Sequence, residues 1–317
     1  MGWNAMPFAA VFPGQGSQSL GMLSGFDSSL IRDVFAEASD TLSLDLWKLA
    51  QQGPEAELNK TENTQPLMLA AGVAVWRLWQ SRGGCSPIAM AGHSLGEYSA
   101  LVCSGALAFS DAVALVAERG RLMQSAVPDG SGAMAAILGL DDDSVRAVCE
   151  AAAQGEVVEP VNFNSPGQVV IAGSVQAVER ACEEAKGAGA KRALKLPVSV
   201  PSHCSLMAPA AGELGRLLAD TAVAVPEIPV IHNVGAQSLT DADAIREALA
   251  QQLHSPVRWV ETVRNMAGQG VDRLIEFGPG KVLAGLTRRI DRGLGAVCVQ
   301  DPASLDAALA TCEGESS

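Results

Sequence analysis

The sequence Gly-His-Ser-Leu-Gly at residues 92–96 has the composition of a nucleophile elbow, a sharp turn that presents a serine hydroxyl between a strand and a helix. An apolar run at 88–91 precedes it, and a helix-forming run at 97–103 follows it. The flanking glycines permit the strained backbone and close chain approach that such a turn requires. Ser94 is therefore predicted to be a nucleophile, and the alternative is a glycine-rich turn in which the serine only caps a helix.

A serine nucleophile needs a base within hydrogen-bonding distance, and the chain contains four histidines. His93 adjoins Ser94, but an elbow should direct the two side chains apart. His203 is the better candidate because a proline-containing segment before it would fix the imidazole; the alternative is a core or helix-capping histidine. His232 and His254 are more simply explained as strand or loop residues.

Two backbone amides should stabilise the oxyanion, and one comes from Leu95, the residue after the nucleophile. The second must come from another loop at the same edge of the sheet. Gly14-Gln15-Gly16 directly follows the first predicted strand and can supply it; an ordinary glycine turn or a helix start is the alternative. The loop lacks the patterns of a P-loop and of a dinucleotide fold, which disfavours nucleotide binding.

Two arginines, Arg119 and Arg121, lie on an otherwise apolar helix. If one of them points inward, its guanidinium needs a carboxylate from the protein or from a substrate. The alternative is an exposed helix end, where arginine interacts favourably with the helix dipole.

The elements that must position these residues alternate between strands and helices, which predicts an α/β protein with a parallel sheet. Pro66 is expected at the first position of its helix, and Ser110 is expected to cap the helix that carries Arg119. Predicted strands lie at 8–12, 88–91, 230–234, 272–277 and 296–300. Predicted helices lie at 29–39, 44–52, 66–82, 97–103, from about 110, from about 205, and at 241–253, 257–268 and 281–292.

The middle of the chain follows the order β-α-β-β-α-β, which is typical of a ferredoxin-like unit. Its predicted strands lie at 133–138, 157–163, 168–172 and 191–196, and its predicted helices at 141–153 and 175–188. We therefore predict a main domain at 1–128 and 199–317 that carries a ferredoxin-like insert at 129–198.

Composition narrows the class of protein. The chain has 317 residues, of which 48% are hydrophobic and 18% charged, as expected for a globular protein. With 22 basic and 35 acidic residues its net charge is −13, which disfavours nucleic acid as a partner. We expect no membrane span and no secretory signal, and hence a cytoplasmic protein. Seven scattered cysteines are expected to be reduced, and no metal-ligand spacing is present.

Seven motifs, taken together, resemble those of the malonyl-CoA:acyl carrier protein transacylases, over residues 12 to about 292. They are Phe-Pro-Gly-Gln-Gly-Ser-Gln at 12–18, Thr-Gln-Pro at 64–66, Ala-Gly-His-Ser-Leu-Gly-Glu-Tyr at 91–98, Glu-Arg-Gly at 118–120, Pro-Val-Asn-Phe-Asn-Ser-Pro at 160–166, Pro-Ser-His at 201–203 and Gly-Pro-Gly at 278–280. The resemblance implies an α/β-hydrolase-like main domain with a parallel sheet and an inserted ferredoxin-like subdomain.

The resemblance also implies roles for individual catalytic residues. Ser94 matches the family nucleophile and His203 the family base. The amides of Gln15 and Leu95 match those that bind the oxyanion. The backbone carbonyl of Gln252 matches the group that orients the base in place of a triad acid.

On the substrate side, the resemblance assigns Arg119 to the free carboxylate of malonyl. Asn162 matches a polar residue near the thioester-bearing arm, and Gln65 lines the pocket. The segment Val-Pro-Ser-His at 200–203 matches neither form found in related polyketide acyltransferase domains, and it looks like that of the discrete bacterial enzymes.

The implied function is ping-pong transfer of malonyl from coenzyme A to the phosphopantetheine thiol of acyl carrier protein, for fatty-acid synthesis. The expected partners are malonyl-CoA and acyl carrier protein, with no cofactor and a monomeric enzyme. One alternative is a serine thioesterase or esterase on the same elbow. Such an enzyme would usually have a catalytic-triad acid between Ser94 and His203 and a His-Gly-Gly oxyanion loop, and neither is evident in the sequence. A second alternative is a non-catalytic carrier-binding module, which an intact Ser94 and His203 disfavour.

Overall fold

Two separate β-sheets organise the chain in the computed structural model, which describes residues 7–198 and 200–312. The strands are β1 (Phe8–Phe12), β2 (Ala89–Gly92), β3 (Gly132–Leu138), β4 (Val158–Ser165), β5 (Gln168–Ser174), β6 (Arg192–Lys195), β7 (Val230–Ile231), β8 (Arg273–Phe277) and β9 (Gly295–Val299). The helices are α1 (Ser29–Leu42), α2 (Leu46–Gln52), α3 (Glu55–Leu58), α4 (Thr61–Ser81), α5 (Gly96–Cys103), α6 (Phe109–Ser125), α7 (Asp142–Ala153), α8 (Val175–Gly187), α9 (Ala208–Asp220), α10 (Ala242–Gln252), α11 (Trp259–Gly268), α12 (Val282–Ile290) and α13 (Pro302–Ala310).

The larger sheet is parallel throughout and has the strand order β7-β2-β1-β8-β9. Its central strand β1 is buried along its whole length. Phe8 and Phe12 pack into the core on one face, and Val11 packs with Trp259 into the core on the other, because successive strand residues point to opposite faces. The loops after the adjacent strands β1 and β2 therefore leave the sheet at the same edge, which is where α/β proteins build their sites.

The smaller sheet has the order β4-β5-β3-β6, and all its neighbouring strands are antiparallel. Helices α7 and α8 cover one of its faces. On the other face Val161 and Val170 pack with Cys204, which lies beyond β6 in the chain. This is the predicted ferredoxin-like arrangement, so the predicted fold class is confirmed.

Two residues that were predicted to mark helix starts do not have that role in the structure. Helix α4 begins at Thr61, so Pro66 lies inside the helix and not at its first position. Thr64 and Gln65 are fully buried, and their packing extends the helix toward its N-terminus past the signal that the proline gives. Helix α6 begins at Phe109 after Ala108, which makes no side-chain cap, so the prediction that Ser110 caps this helix was wrong.

The prediction that all cysteines are reduced was also wrong, because Cys85 and Cys312 form a disulfide with a Cα–Cα distance of 5.7 Å. The two residues are 227 positions apart, so their sequence spacing gave no sign of the pairing. They meet because the C-terminal helix α13, which the sequence analysis did not predict, returns to the end of α4, where Arg82 pairs with Asp306.

None of the helices in the described parts of the chain combines the length and the apolar character needed to cross a membrane.

Candidate active site

Ser94 lies on a sharp turn between β2 and α5 and has a φ of +53°, in the left-handed region that L-residues rarely adopt. The turn is possible only because its flanking residues lack side chains. A Cβ atom on Gly92 would lie 1.8 Å from the carbonyl carbon of Gly96, and one on Gly96 would lie 2.0 Å from the Phe12 carbonyl oxygen. The sequence therefore folds locally as the predicted elbow.

Asn233 holds this strained turn in place. The backbone N–H of Ser94 donates to Asn233 Oδ1 over 2.7 Å, and Asn233 Nδ2 donates to the Gly92 carbonyl over 2.6 Å. The sequence analysis missed this fully buried residue. The available signal was its position just after β7, the strand beside β2, since loops after neighbouring parallel strands meet at one edge of a sheet.

Ser94 and His203 form a hydrogen-bonded pair. Ser94 Oγ lies 2.7 Å from His203 Nε2, and His203 Nδ1 lies 2.7 Å from the backbone carbonyl oxygen of Gln252. A carbonyl can only accept, so Nδ1 carries the proton and Nε2 offers its lone pair to the serine hydroxyl. His203 itself has a φ of +68°, and its N–H donates to the Leu253 carbonyl over 2.9 Å.

Burial and charge keep His203 neutral. Its imidazole is 2% exposed, and this burial, together with the nearby positive charge of Arg119, lowers the pKa of His203 to about 3. The ring is therefore in its proton-accepting form at neutral pH. His93 does not compete for the role, because its Nε2 contacts Asn164 Oδ1 at 2.8 Å.

Arg119 is fully buried beside the nucleophile. Its Nη2 donates to Gln252 Oε1 over 2.9 Å and to Ser94 Oγ over 3.3 Å, and its Nη1 donates to Gln65 Oε1 over 2.8 Å. Its guanidinium also lies 5.5 Å from the ring centre of Tyr98. Burial lowers the pKa of Arg119, but a guanidinium stays charged at neutral pH.

No carboxylate of the described residues pairs with Arg119, and its buried Nε has no hydrogen-bond partner there. A buried positive charge that is held only by neutral amides, a hydroxyl and an aromatic ring is electrostatically incomplete. The site can therefore bind an anionic group next to the nucleophile. The second candidate, Arg121, instead pairs with Glu118 near the surface.

Gln252 contributes its side chain as well as its carbonyl. Its Nε2 donates to the Ser94 carbonyl over 3.0 Å and to Glu97 Oε2 over 2.9 Å. Glu97 is fully buried and also accepts hydrogen bonds from His232 Nδ1 and from the Asn233 N–H. The sequence analysis missed both Glu97 and this use of His232, which it placed in a strand or loop.

The loop after β1 lies against the elbow, since a Cβ atom on Gly14 would be 2.5 Å from the His93 carbonyl oxygen. Within the described ranges, the N–H groups of Gln15 and Leu95 donate to no protein acceptor. Both amides therefore remain available for the predicted oxyanion role. Gln65 Nε2 lies 3.4 Å from Gln15 Oε1, which connects this loop to Arg119.

Asn162 lies on β4 of the smaller sheet, where its backbone pairs with Val170 and forms a bridge with Val257. Its amide oxygen is buried and has no partner among the described residues. The structure thus brings Ser94, His203, Arg119 and Gln252 into direct contact, and it does not join Asn162 to them by a hydrogen bond.

A strained serine on an α/β elbow, a buried histidine base and an unpaired buried arginine define a serine-nucleophile site that can act on acyl groups carrying a negative charge. Residues 10–296 match the family model of the acyl transferase domain. The chain is 59% identical over 304 residues to the malonyl CoA-acyl carrier protein transacylase of Escherichia coli (strain K12), covering 95% of this chain and 98% of that one. It is 44% identical to the Bacillus subtilis (strain 168) protein of the same name, over 97% of this chain and 98% of the other. The chain belongs to this transacylase family.

Solved structures give the same relationship. An acyl carrier protein S-malonyltransferase from Vibrio cholerae superposes with a TM-score of 0.93 at 59% identity, covering 95% of this chain and 99% of that chain. A malonyl-transacylase in complex with its type II PKS acyl-carrier protein superposes with a TM-score of 0.95 at 58% identity, over 96% of this chain and 99% of that one.

Proposed function

We propose that this protein transfers the malonyl group from malonyl-CoA to the phosphopantetheine thiol of acyl carrier protein, by a ping-pong mechanism for fatty-acid synthesis. The observation that carries the proposal is the unpaired guanidinium of Arg119, 3.3 Å from Ser94 Oγ. Malonyl is an acyl group with a carboxylate at its far end, so its anion completes the charge of Arg119 while its thioester carbonyl lies at the serine. The names of the relatives support the same substrate and partner.

In the first half-reaction, Ser94 Oγ attacks the thioester carbonyl and His203 Nε2 takes the hydroxyl proton. The amides of Gln15 and Leu95 stabilise the oxyanion of the tetrahedral intermediate. When the C–S bond breaks, His203 returns the proton to the sulfur of coenzyme A. The products are free coenzyme A and a malonyl ester on Ser94.

In the second half-reaction, the phosphopantetheine thiol of the carrier protein replaces coenzyme A. His203 Nε2 takes the thiol proton, and the thiolate attacks the ester carbonyl. The C–O bond then breaks, and His203 returns the proton to Ser94 Oγ. The proposal places Asn162 near the arm that bears the thiol and assigns Gln65 to the wall of the malonyl pocket, where it supports Arg119.

The proposal includes no cofactor, since the thioester substrate and these residues supply all groups that react. It further places the enzyme in the cytoplasm, as a monomer, with a main domain at 1–128 and 199–317 and the insert at 129–198.

The test is intact-mass analysis after incubation with malonyl-CoA or acetyl-CoA. We expect one malonyl group on the wild-type protein, none on Ser94→Ala, and much less labelling by acetyl-CoA. Arg119→Ala should lower the rate of malonyl labelling roughly 100-fold or more, the scale of a lost hydrogen-bonded charge pair, and should change acetyl labelling much less.

A malonyl adduct on Ser94→Ala would refute the assignment of the nucleophile. Equal losses for both acyl groups in Arg119→Ala would show that this arginine has a structural role only. Rapid release of free malonate without a carrier protein would identify a thioesterase, and absence of any adduct would identify a non-catalytic module.

A further inference from the structure

A buried chain of polar groups connects Glu97 to the site, although Glu97 itself contacts none of the reacting atoms. Glu97 lies on α5, directly behind the elbow, and its carboxylate has no exposed surface. Its Oε2 accepts from Gln252 Nε2 over 2.9 Å and from the Asn233 N–H over 2.8 Å, and its Oε1 accepts from His232 Nδ1 over 2.8 Å. An ionised carboxylate can only accept, so Glu97 dictates which groups face it.

The direction of the Gln252 amide follows from this contact. Its NH₂ group points at two acceptors, Glu97 Oε2 and the Ser94 carbonyl, so its oxygen must point at Arg119 Nη2, 2.9 Å away. The reversed amide would place donors against the guanidinium and an oxygen against the carboxylate. Glu97 and the Ser94 carbonyl therefore together fix the orientation in which Gln252 accepts from Arg119.

The neutral amide also keeps two opposite charges apart. Gln252 lies between Glu97 and Arg119, so the guanidinium is held by a hydrogen bond but does not form a direct ion pair with Glu97. A carboxylate in direct contact with Arg119 would compete with the substrate anion for the same donors.

We propose that Glu97 is a positioning residue that sets the preference for malonyl over uncharged acyl groups, by fixing the Gln252 amide and through it the Arg119 guanidinium. This inference rests on the proposed function. Through the Asn233 N–H, the same carboxylate orients the residue that holds the Ser94 turn.

The test compares Glu97→Ala with Glu97→Gln. The measured quantity is the ratio of kcat/KM for malonyl-CoA to kcat/KM for acetyl-CoA, because this ratio does not depend on how much of a preparation is folded. In Glu97→Gln the amide oxygen can replace Oε2 as an acceptor. The new NH₂ group can donate to His232 Nδ1 when the imidazole carries its proton on Nε2 instead. In the wild-type protein His232 Nε2 has no hydrogen-bond partner among the described residues. We expect Glu97→Gln to keep the ratio within about threefold and Glu97→Ala to lower it at least about tenfold, the size of one lost charge-assisted hydrogen bond.

Glu276→Ala is the matched control. Glu276 is also a fully buried carboxylate, but it accepts from the N–H groups of Leu283 and Ala284 at the start of α12, outside the site. Its loss should lower stability and leave the ratio unchanged. If Glu97→Ala does not fold, Gln252→Leu removes the amide and keeps the backbone carbonyl for His203, and it should lower the ratio to a similar extent.

An unchanged ratio in Glu97→Ala, or in Gln252→Leu, would overturn the proposal. Equal losses in Glu97→Ala and Glu97→Gln would overturn it as well, since charge and not amide orientation would then set the preference. A wild-type enzyme with no preference for malonyl would instead refute the proposed function.

Discussion

His203 shows how burial can suit a single residue to its role. In water a histidine is partly protonated near neutral pH, and a protonated base cannot accept the serine proton. Here burial and the charge of Arg119 lower the pKa of His203, so that the neutral form persists far into the acid range. The use of a backbone carbonyl instead of a triad acid is consistent with a neutral His203, because a carboxylate at Nδ1 would raise the pKa of His203.

The lowered pKa of His203 has a consequence for the pH dependence of acylation. The neutral form of His203 is required for acylation, and a lowered pKa means that this form is lost only as pH falls toward about 3. The kcat/KM for malonyl-CoA should therefore stay nearly constant from about pH 8 down to about pH 5, where an ordinary histidine would already be mostly protonated. Rapid-quench measurement of acylation across this range is the check.

Arg119→Gln provides the matched comparison, measured with acetyl-CoA so that the substrate needs no cationic partner. Removing the positive charge removes one of the causes that lower the pKa of His203, so the acid limb should move to higher pH. A wild-type profile that is already half-maximal near pH 6.5 would contradict the burial argument.

Residue types and local spacing were enough to predict Ser94, His203 and an inward-pointing arginine as candidates. The role of Gln252 came only from family resemblance, because a backbone carbonyl leaves no mark on residue type. Glu97 and Asn233 were missed because their contacts join residues far apart in the chain; Asn233 and Ser94 are separated by 139 positions. Such long-range partners become visible only when the strand order of the sheet is known.

The elbow forms because two neighbouring elements, α5 and β1, pack at backbone distance. Helix α5 approaches β1 so closely that the Cβ of any residue at position 96 would meet the Phe12 carbonyl oxygen at 2.0 Å. The glycines therefore do more than permit an unusual φ at Ser94, because they set the distance between α5 and the central strand.

Gly96→Ala is accordingly predicted to destabilise the protein by about 3 kcal/mol or more, the upper range for overpacking a core, and to abolish acylation. Gly212→Ala is the matched control: this exposed glycine lies inside α9, and its added Cβ would meet nothing within 4 Å. It should raise stability by about 1 kcal/mol through helix propensity. Urea unfolding measures both, and a Gly96→Ala protein of normal stability and activity would refute the close packing.

The type and order of most elements could be predicted from the sequence, because short apolar runs alternate with segments that have helical periodicity. Element ends were less predictable. Pro66 signalled a helix start, yet burial of Thr64 and Gln65 carries α4 further toward its N-terminus. Helix α13 was missed although its Asp301–Ser304 capping box could have shown it.

The Cys85–Cys312 disulfide closes nearly three quarters of the chain into one loop. It ties the C-terminal helix to the segment before β2, on the side of Trp79, whose indole N–H donates to the Cys85 carbonyl over 3.0 Å. The disulfide conflicts with the proposed cytoplasmic location, because most cysteine thiols in a reducing compartment stay reduced.

A thiol count decides between them. In denaturant without reductant, five of the seven cysteines should react with a thiol reagent, and all seven should react after reduction. Cys85→Ser should lower the free energy of unfolding by roughly 2–5 kcal/mol, because the cross-link restricts the unfolded chain. Seven reactive thiols before reduction would show that the pair is open in the purified protein.

The contact between β4 and the main body has a consequence for protein engineering. Phe163 N–H donates to the Val257 carbonyl over 3.0 Å and Val257 N–H donates to the Val161 carbonyl over 2.8 Å, shortly after the residues that hold His203. An insert grafted from a relative must therefore reproduce this strand-to-loop bridge, in addition to its two chain crossings and side-chain contacts such as that of Asn164 with His93. A shift of one residue in the pairing of β4 with Val257 would displace the segment at 252–253, whose carbonyl groups accept hydrogen bonds from His203. Chimeras that seek a new carrier protein should transplant residues 161–163 and 252–257 together, as one block.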